Sequence, residues 1–176
     1  MDRHIFLIGM PGSGKSSLGK RVARRNRIPY IDCDQLLSQK AKMSIYEVFQ
    51  KYGELAFRNS ETNLLIHLCD EAPSIISTGG GMVMRKTNQE IMKNAGLIVL
   101  VDRPIEQILS DIKLDRRPML EKTGMQGVVD LYKERMPLYR SLADVILDNG
   151  KGFHPGVAEL EKILKKEREK TVVANV

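Results

Sequence analysis

Gly9-Met10-Pro11-Gly12-Ser13-Gly14-Lys15-Ser16 follows the short apolar run His4-Ile5-Phe6-Leu7-Ile8 and leads into a helix-compatible stretch from Lys15 to about Arg25. The eight residues satisfy G-x-x-x-x-G-K-[ST], and strand before, helix after is the context the pattern requires. Glycine lets the backbone wrap around phosphate oxygens without Cβ clashes, while the helix N-terminus adds partial positive charge. Gly12, Ser13, Gly14, Lys15, Ser16 and Ser17 are therefore the candidate nucleotide-phosphate contacts. Lys15 is expected to reach the β and γ phosphates, and the Ser16 hydroxyl to ligate Mg²⁺.

Working outward, four more strand-like runs follow at Ile28–Asp32, Ser74–Ser77, Leu97–Val101 and Asp144–Leu147, separated by helical pattern. Such alternation predicts an α/β fold, a five-stranded parallel sheet flanked by helices. Between the second and third strands there is room for helices at Gln35–Lys40, Ser44–Tyr52 and Glu54–Cys69. Ser44-Ile45-Tyr46-Glu47 and Thr87-Asn88-Gln89-Glu90 both have capping-box spacing, and Pro104 suits the first turn of a helix. Apolar periodicity lapses from Lys113 to Gly127, which predicts a mobile lid at approximately 112–126. One domain is expected over 1–170, with 171–176 as a disordered tail.

The chain has 176 residues, 42% hydrophobic and 28% charged, which is the profile of a globular domain. No apolar run approaches the roughly 20 residues that span a bilayer, and no signal-peptide layout opens the chain, so a cytoplasmic protein without membrane partners is expected. Cys33 and Cys69 lack the spacing of a disulfide framework or zinc site. The net charge of +6 suits either nucleic acid or a small anion. Aromatic content of 5% and the absence of aromatics among the basic residues argue against a base-stacking surface.

Ligands of open α/β sheets sit at the carboxyl ends of the strands. Asp32-Cys33-Asp34 ends the second strand; one carboxylate would organise metal-bound water and the other face an acceptor hydroxyl, although a helix-capping pair has the same form. Arg58 and Glu61 share a helix face, as an anchored anion receptor or as an ordinary surface ion pair. Thr78-Gly79-Gly80-Gly81 follows the third strand, and three consecutive glycines imply close approach of a ligand or of backbone. Arg117 in the lid, and Arg135 at the end of a helix leading to Pro137, would supply positive charge.

In order and spacing these pieces resemble shikimate kinase, a family of the P-loop NTPase, nucleoside-monophosphate-kinase-like fold, from about Ile5 to Leu164. Phe57-Arg58-Asn59-Ser60-Glu61, Arg117-Pro118-Met119-Leu120 and Arg135-Met136-Pro137-Leu138-Tyr139 carry it together with the phosphate loop, the Asp-x-Asp pair and the triple glycine. The resemblance implies a monomer that moves the γ-phosphoryl group of ATP to the 3-hydroxyl of shikimate, yielding ADP. It gives Asp34 the acceptor hydroxyls, Arg58 and Arg135 the carboxylate, and Gly79, Gly80 and Gly81 the remainder of the molecule. Lys15, Asp34 and Arg117 become the catalytic set, Arg117 also touching nucleotide, and Ser16 and Asp32 hold Mg²⁺, Asp32 through water. Arg116 competes with Arg117 for the lid role. Leu109-Ser110-Asp111-Ile112 departs from the family, which often stacks an arginine there on adenine, and Asp148-Asn149 stands where the adenine loop begins. Two alternatives remain at this stage: a kinase for another small acceptor such as gluconate or a nucleoside monophosphate, and a GTP-dependent switch, whose Asn-Lys-x-Asp motif is absent.

Overall fold

A computed structural model describes residues 1–111 and 124–174, the side chains of 171–174 excepted. Five parallel strands, β1 (His4–Ile8), β2 (Tyr30–Asp32), β3 (Ile75–Ser77), β4 (Gly96–Asp102) and β5 (Val145–Asp148), form one sheet in the order β2-β3-β1-β4-β5. The helices are α1 (Lys15–Asn26), α2 (Cys33–Ala41), α3 (Ile45–Cys69), α4 (Lys86–Ala95), α5 (Ile105–Asp111), α6 (Gly124–Leu142) and α7 (Phe153–Ala174). The expected fold class is therefore present. Helix α7 continues past residue 170, where the sequence reading set the end of the domain.

β1 is central because it is apolar on both faces. Alternate side chains of a strand point to opposite sides, so Phe6 and Ile8 pack into one core while Ile5 and Leu7 pack into the other. The first core is covered by α2 to α6, through residues such as Leu37, Phe57, Met92, Ile108 and Met136. Against the second, among the described residues, lie α1, through Leu18, Val22 and Ala23, and α7, through Val157, Leu160 and Leu164. The heavier face thus carries the helices that hold the candidate acceptor residues, and β1 delivers the phosphate loop between the two layers.

Three local expectations are corrected. Thr87 does not cap a helix: α4 begins at Lys86 behind Arg85, with no side-chain cap. Asn88 and Gln89 instead donate to the carbonyls of Met82 and Val83, both at 2.8 Å, and tie down the short 3₁₀ turn Met82–Met84. Pro104 stands before α5, its carbonyl accepting from the amides of Gln107 and Ile108. Pro137 does not follow a helix end but lies inside α6, which runs on to Leu142 because Met136, Tyr139 and Leu142 are buried in the core on both sides of the missing donor.

The Ser44 capping box is present, with Ser44 N donating to Glu47 Oε2 at 2.7 Å and Glu47 N to Ser44 Oγ at 3.2 Å. The two helices expected on either side of Gly53 are present within α3, which breaks at that residue, where φ is 79° and ψ is 168°.

Gly96 opens β4 directly against the His4 carbonyl, which any Cβ there would overlap. Gly96→Ala should therefore cost about 2 kcal/mol of stability, as other over-packed sites do. Urea unfolding should show a lower midpoint at unchanged m-value.

Candidate active site

The carboxyl ends of the strands surround one cleft of about 1310 Å³, lined on one side by the phosphate loop and on the other by α2, α3, the triple glycine and α6. It brings together Gly12, Gly14, Lys15, Ser16, Ser17, Asp32, Asp34, Arg58, Gly80, Gly81 and Arg135 from the sequence-derived set. Arg116, Arg117 and the lid segment 112–123 lie outside the described residues. The last three lid positions of the sequence reading, 124–126, begin α6.

The phosphate loop needs its glycines for conformation: Gly9, Gly12 and Gly14 have φ of 137°, 85° and 100°. Side chains hold its carbonyls from several directions. Lys15 Nζ donates to Gly9 O at 2.8 Å and Met10 O at 2.9 Å. Arg103 Nη1 donates to Gly12 O at 3.1 Å, and Asn149 Nδ2 to Ser13 O at 2.7 Å. Engaged carbonyls fix the turn in the form whose successive N–H groups make an anion-binding concavity. Asn149 therefore supports the phosphate loop from the place where the family resemblance set the start of an adenine loop.

Arg103 went unremarked in the sequence, although it stands at the carboxyl end of β4, where the strand-end rule says to look. It pairs with Asp111 at 2.5 Å and holds that carboxyl below its usual range. Asp111 lies in the stretch Leu109–Ile112, where the family resemblance led one to look for an adenine-stacking arginine.

Ser16 Oγ donates to Asp32 Oδ2 at 2.6 Å, while Asp32 Oδ1 accepts from Gln35 N at 3.1 Å and caps α2. The two expectations for Asp32, cap and metal partner, are thus compatible in one side chain. A hydroxyl and a carboxylate side by side beneath a phosphate loop suit Mg²⁺, which takes one or two carboxylates plus substrate phosphates and keeps several waters. Among the described residues no group of three His, Cys, Asp or Glu forms a protein cage for a metal.

On the acceptor side, none of the three glycines in the Gly79–Gly81 run has a positive φ. Close approach explains them. A Cβ on Gly79 would stand 2.5 Å from Asp34 Oδ1 and 3.0 Å from Glu61 Oε1. One on Gly80 would meet Pro11 of the phosphate loop at 3.2 Å and Arg135 Nη1 at 3.5 Å, and one on Gly81 would overlap the Arg58 guanidinium. The run is bare so that four charged side chains, Asp34, Glu61, Arg135 and Arg58, fit against it. Tyr139, to which the sequence gave no role, is fully buried and donates to Gly80 O at 2.5 Å. Burial pushes its phenol up to about 12, so it remains a donor throughout neutral pH.

Arg58 and Glu61 form a buried pair, not a surface one: Nη1 to Oε2 is 2.8 Å, and Glu61 is 1% exposed. The guanidinium also stands 5.7 Å and 5.5 Å from the ring centroids of Phe49 and Phe57. Burial raises the Glu61 carboxyl above its usual range, against the pull of Arg58 and with help from Asp34. Arg135 is nearly buried in α6, and its Nε has no hydrogen-bond partner. Ser13 Oγ and Asn149 Oδ1 are likewise buried without a partner. Unsatisfied buried groups are rare in native folds; Asn88 Oδ1 is a fourth among the described residues, and of the four Arg135 is the one that lines the cleft.

The chain matches the family model described as Shikimate kinase over residues 11–168. It is 40% identical over 164 residues to the shikimate kinase of Clostridium botulinum (strain Eklund 17B / Type B), covering 93% of this chain and 98% of that one. To the shikimate kinase of Aromatoleum aromaticum it is 33% identical over 171 residues, covering 95% and 97%. Among solved structures, shikimate kinase from Acinetobacter baumannii in complex with shikimate aligns with a TM-score of 0.85 at 29% identity, over 96% of this chain and 94% of that chain. Shikimate kinase from Aquifex aeolicus gives 0.81 at 32% identity, over 94% and 98%.

Glu61 binds its proton more tightly folded than unfolded, so its contribution to stability is complete below the ordinary glutamate pKa and is lost as pH rises through the raised value. Urea unfolding across the acidic range should show that loss in the wild type. Glu61→Gln, which cannot ionise, should remove that component of the pH dependence.

Proposed function

The chain belongs to the shikimate kinase family, and we propose that it transfers the γ-phosphoryl group of ATP to the 3-hydroxyl of shikimate, releasing ADP and shikimate 3-phosphate. One observation carries the assignment of the acceptor to this cleft. Two guanidiniums, Arg58 and Arg135, converge on the bare Gly80–Gly81 backbone, which itself abuts Pro11 of the phosphate loop.

In this reading Arg58 and Arg135 hold the carboxylate of shikimate, and the partnerless Nε of Arg135 gains an acceptor. The backbone of Gly79 to Gly81 lies along the ring, and Asp34 faces the hydroxyls from the first turn of α2. The acceptor oxygen forms a bond to the γ phosphorus as the bond from that phosphorus to the bridging oxygen of ADP breaks, and Asp34 takes the hydroxyl proton. Lys15 moves from its own loop carbonyls to the phosphates, where its charge offsets that developing on the transferred group. Gly12, Ser13, Gly14, Ser16 and Ser17 complete the phosphate contacts. Ser16 and Asp32 hold Mg²⁺, which when bound neutralises phosphate charge. Arg117, by family resemblance, adds a further cation from the segment 112–123. Rate acceleration then comes mainly from positioning and electrostatics.

We place the enzyme in the cytoplasm as a single-domain monomer, without nucleic-acid or membrane partners. No helix among the described residues is long and apolar enough to cross a membrane.

A coupled ADP-release assay with Mg-ATP and shikimate, gluconate, AMP or CMP tests the assignment: turnover is expected on shikimate alone, and turnover only on another compound would refute the acceptor site. Lys15→Met should abolish turnover. Arg58→Ala should lower kcat/KM for shikimate roughly 10- to 100-fold, the loss expected for a charged hydrogen-bond partner, while the KM for ATP stays near the wild-type value.

A further inference from the structure

Arg58 has more than one face. Its Nη1 is committed to the buried Glu61 at 2.8 Å. Its Nε and Nη2 form the other edge of the guanidinium, the fork that receives a carboxylate with two parallel hydrogen bonds. In this structure that fork is already taken by a carboxylate, that of Glu54.

The two carboxylates differ in kind. Glu61 is 1% exposed on its side chain, whereas Glu54 is 61% exposed. Glu54 meets both donors through a single oxygen, Oε1, at 3.3 Å from Nε and 3.1 Å from Nη2. Charge-assisted pairs of good geometry are shorter, near 2.8 Å, and use both oxygens. Glu54 also follows Gly53, the break in α3, where φ is 79° and no neighbouring atom would touch a Cβ. The Glu61 contact is thus built in, and the Glu54 contact is loose, solvated and easily released.

We propose that Glu54 is an internal stand-in for the carboxylate of the acceptor: it holds the Nε and Nη2 edge of Arg58 in the empty enzyme and is displaced when substrate binds. This rests on the assignment of Arg58 to the acceptor carboxylate. The consequence runs against ordinary expectation for a residue beside a binding site. Glu54 competes with substrate, so its removal tightens acceptor binding. It also keeps the guanidinium neutralised and oriented when no substrate is present, and sets how strongly an acidic acceptor must bind to enter.

Glu54→Gln keeps the size of the side chain and removes its charge. Titration calorimetry with shikimate, together with ADP-release kinetics, should show Kd and KM for shikimate falling roughly two- to fivefold, the scale of an exposed ion pair. kcat and the KM for ATP should not move. The ratio between wild type and variant should shrink toward one as salt rises, because the competing contact is solvated. Glu54→Ala, which also removes the packing of the stem, should show the same direction. An unchanged or raised KM for shikimate in both variants, or a gain indifferent to salt, would overturn the stand-in role and leave Glu54 as a plain support for Arg58. Failure of the wild type itself to turn over shikimate would instead overturn the acceptor assignment beneath it.

Discussion

A guanidinium taken out of water must meet an opposite charge, and the acceptor half of this molecule is arranged around that requirement. Glu61, almost wholly buried on α3, takes one edge of Arg58 and fixes where it stands. Two aromatic rings back the cation, and the bare backbone at Gly81 gives it room. Arg135 arrives from α6 with an unsatisfied Nε, and Tyr139, one turn further along, holds the Gly80 carbonyl. α3, α6 and the loop after β3 are thereby aligned to one another by charge and hydrogen bonding at a single point.

The nucleotide half rests on a different constraint. Parallel strands with an apolar interior on both faces leave their carboxyl ends as the natural place for a ligand. β1, in the middle of the sheet, delivers the phosphate loop there, and side chains from three directions pin its carbonyls. The phosphate loop and the acceptor loop touch through Pro11 and Gly80. Donor and acceptor are consequently set against each other by backbone packing before either binds.

Strand positions were legible in the sequence because each strand is a short apolar run between turn residues, and β1 matches to the residue. The phosphate loop was legible because its chemistry requires fixed residues at fixed spacing. The misreadings have physical causes. Capping-box spacing at Thr87 is a local pattern, and tertiary hydrogen bonds to the 3₁₀ turn claimed Asn88 and Gln89 instead. Pro137 suggested a helix end, but burial of residues on both sides carried the helix through it. The burial of Glu61 could not be read from an i,i+3 spacing that surface pairs share. Arg103, Asn149 and Tyr139 act through contacts with residues distant in sequence, so a strand-end position or a motif could point to the first two but no local pattern gave their partners.

In the proposed function the glycine run is bare to let charged side chains close on the acceptor. Gly81→Ala tests it most directly, because the three atoms nearest the added Cβ all belong to the Arg58 guanidinium. Steady-state kinetics with each substrate varied, alongside urea unfolding, should show a raised KM for shikimate with the KM for ATP and the unfolding midpoint near their wild-type values. A KM for shikimate unmoved by the substitution would contradict the account and place the acceptor elsewhere.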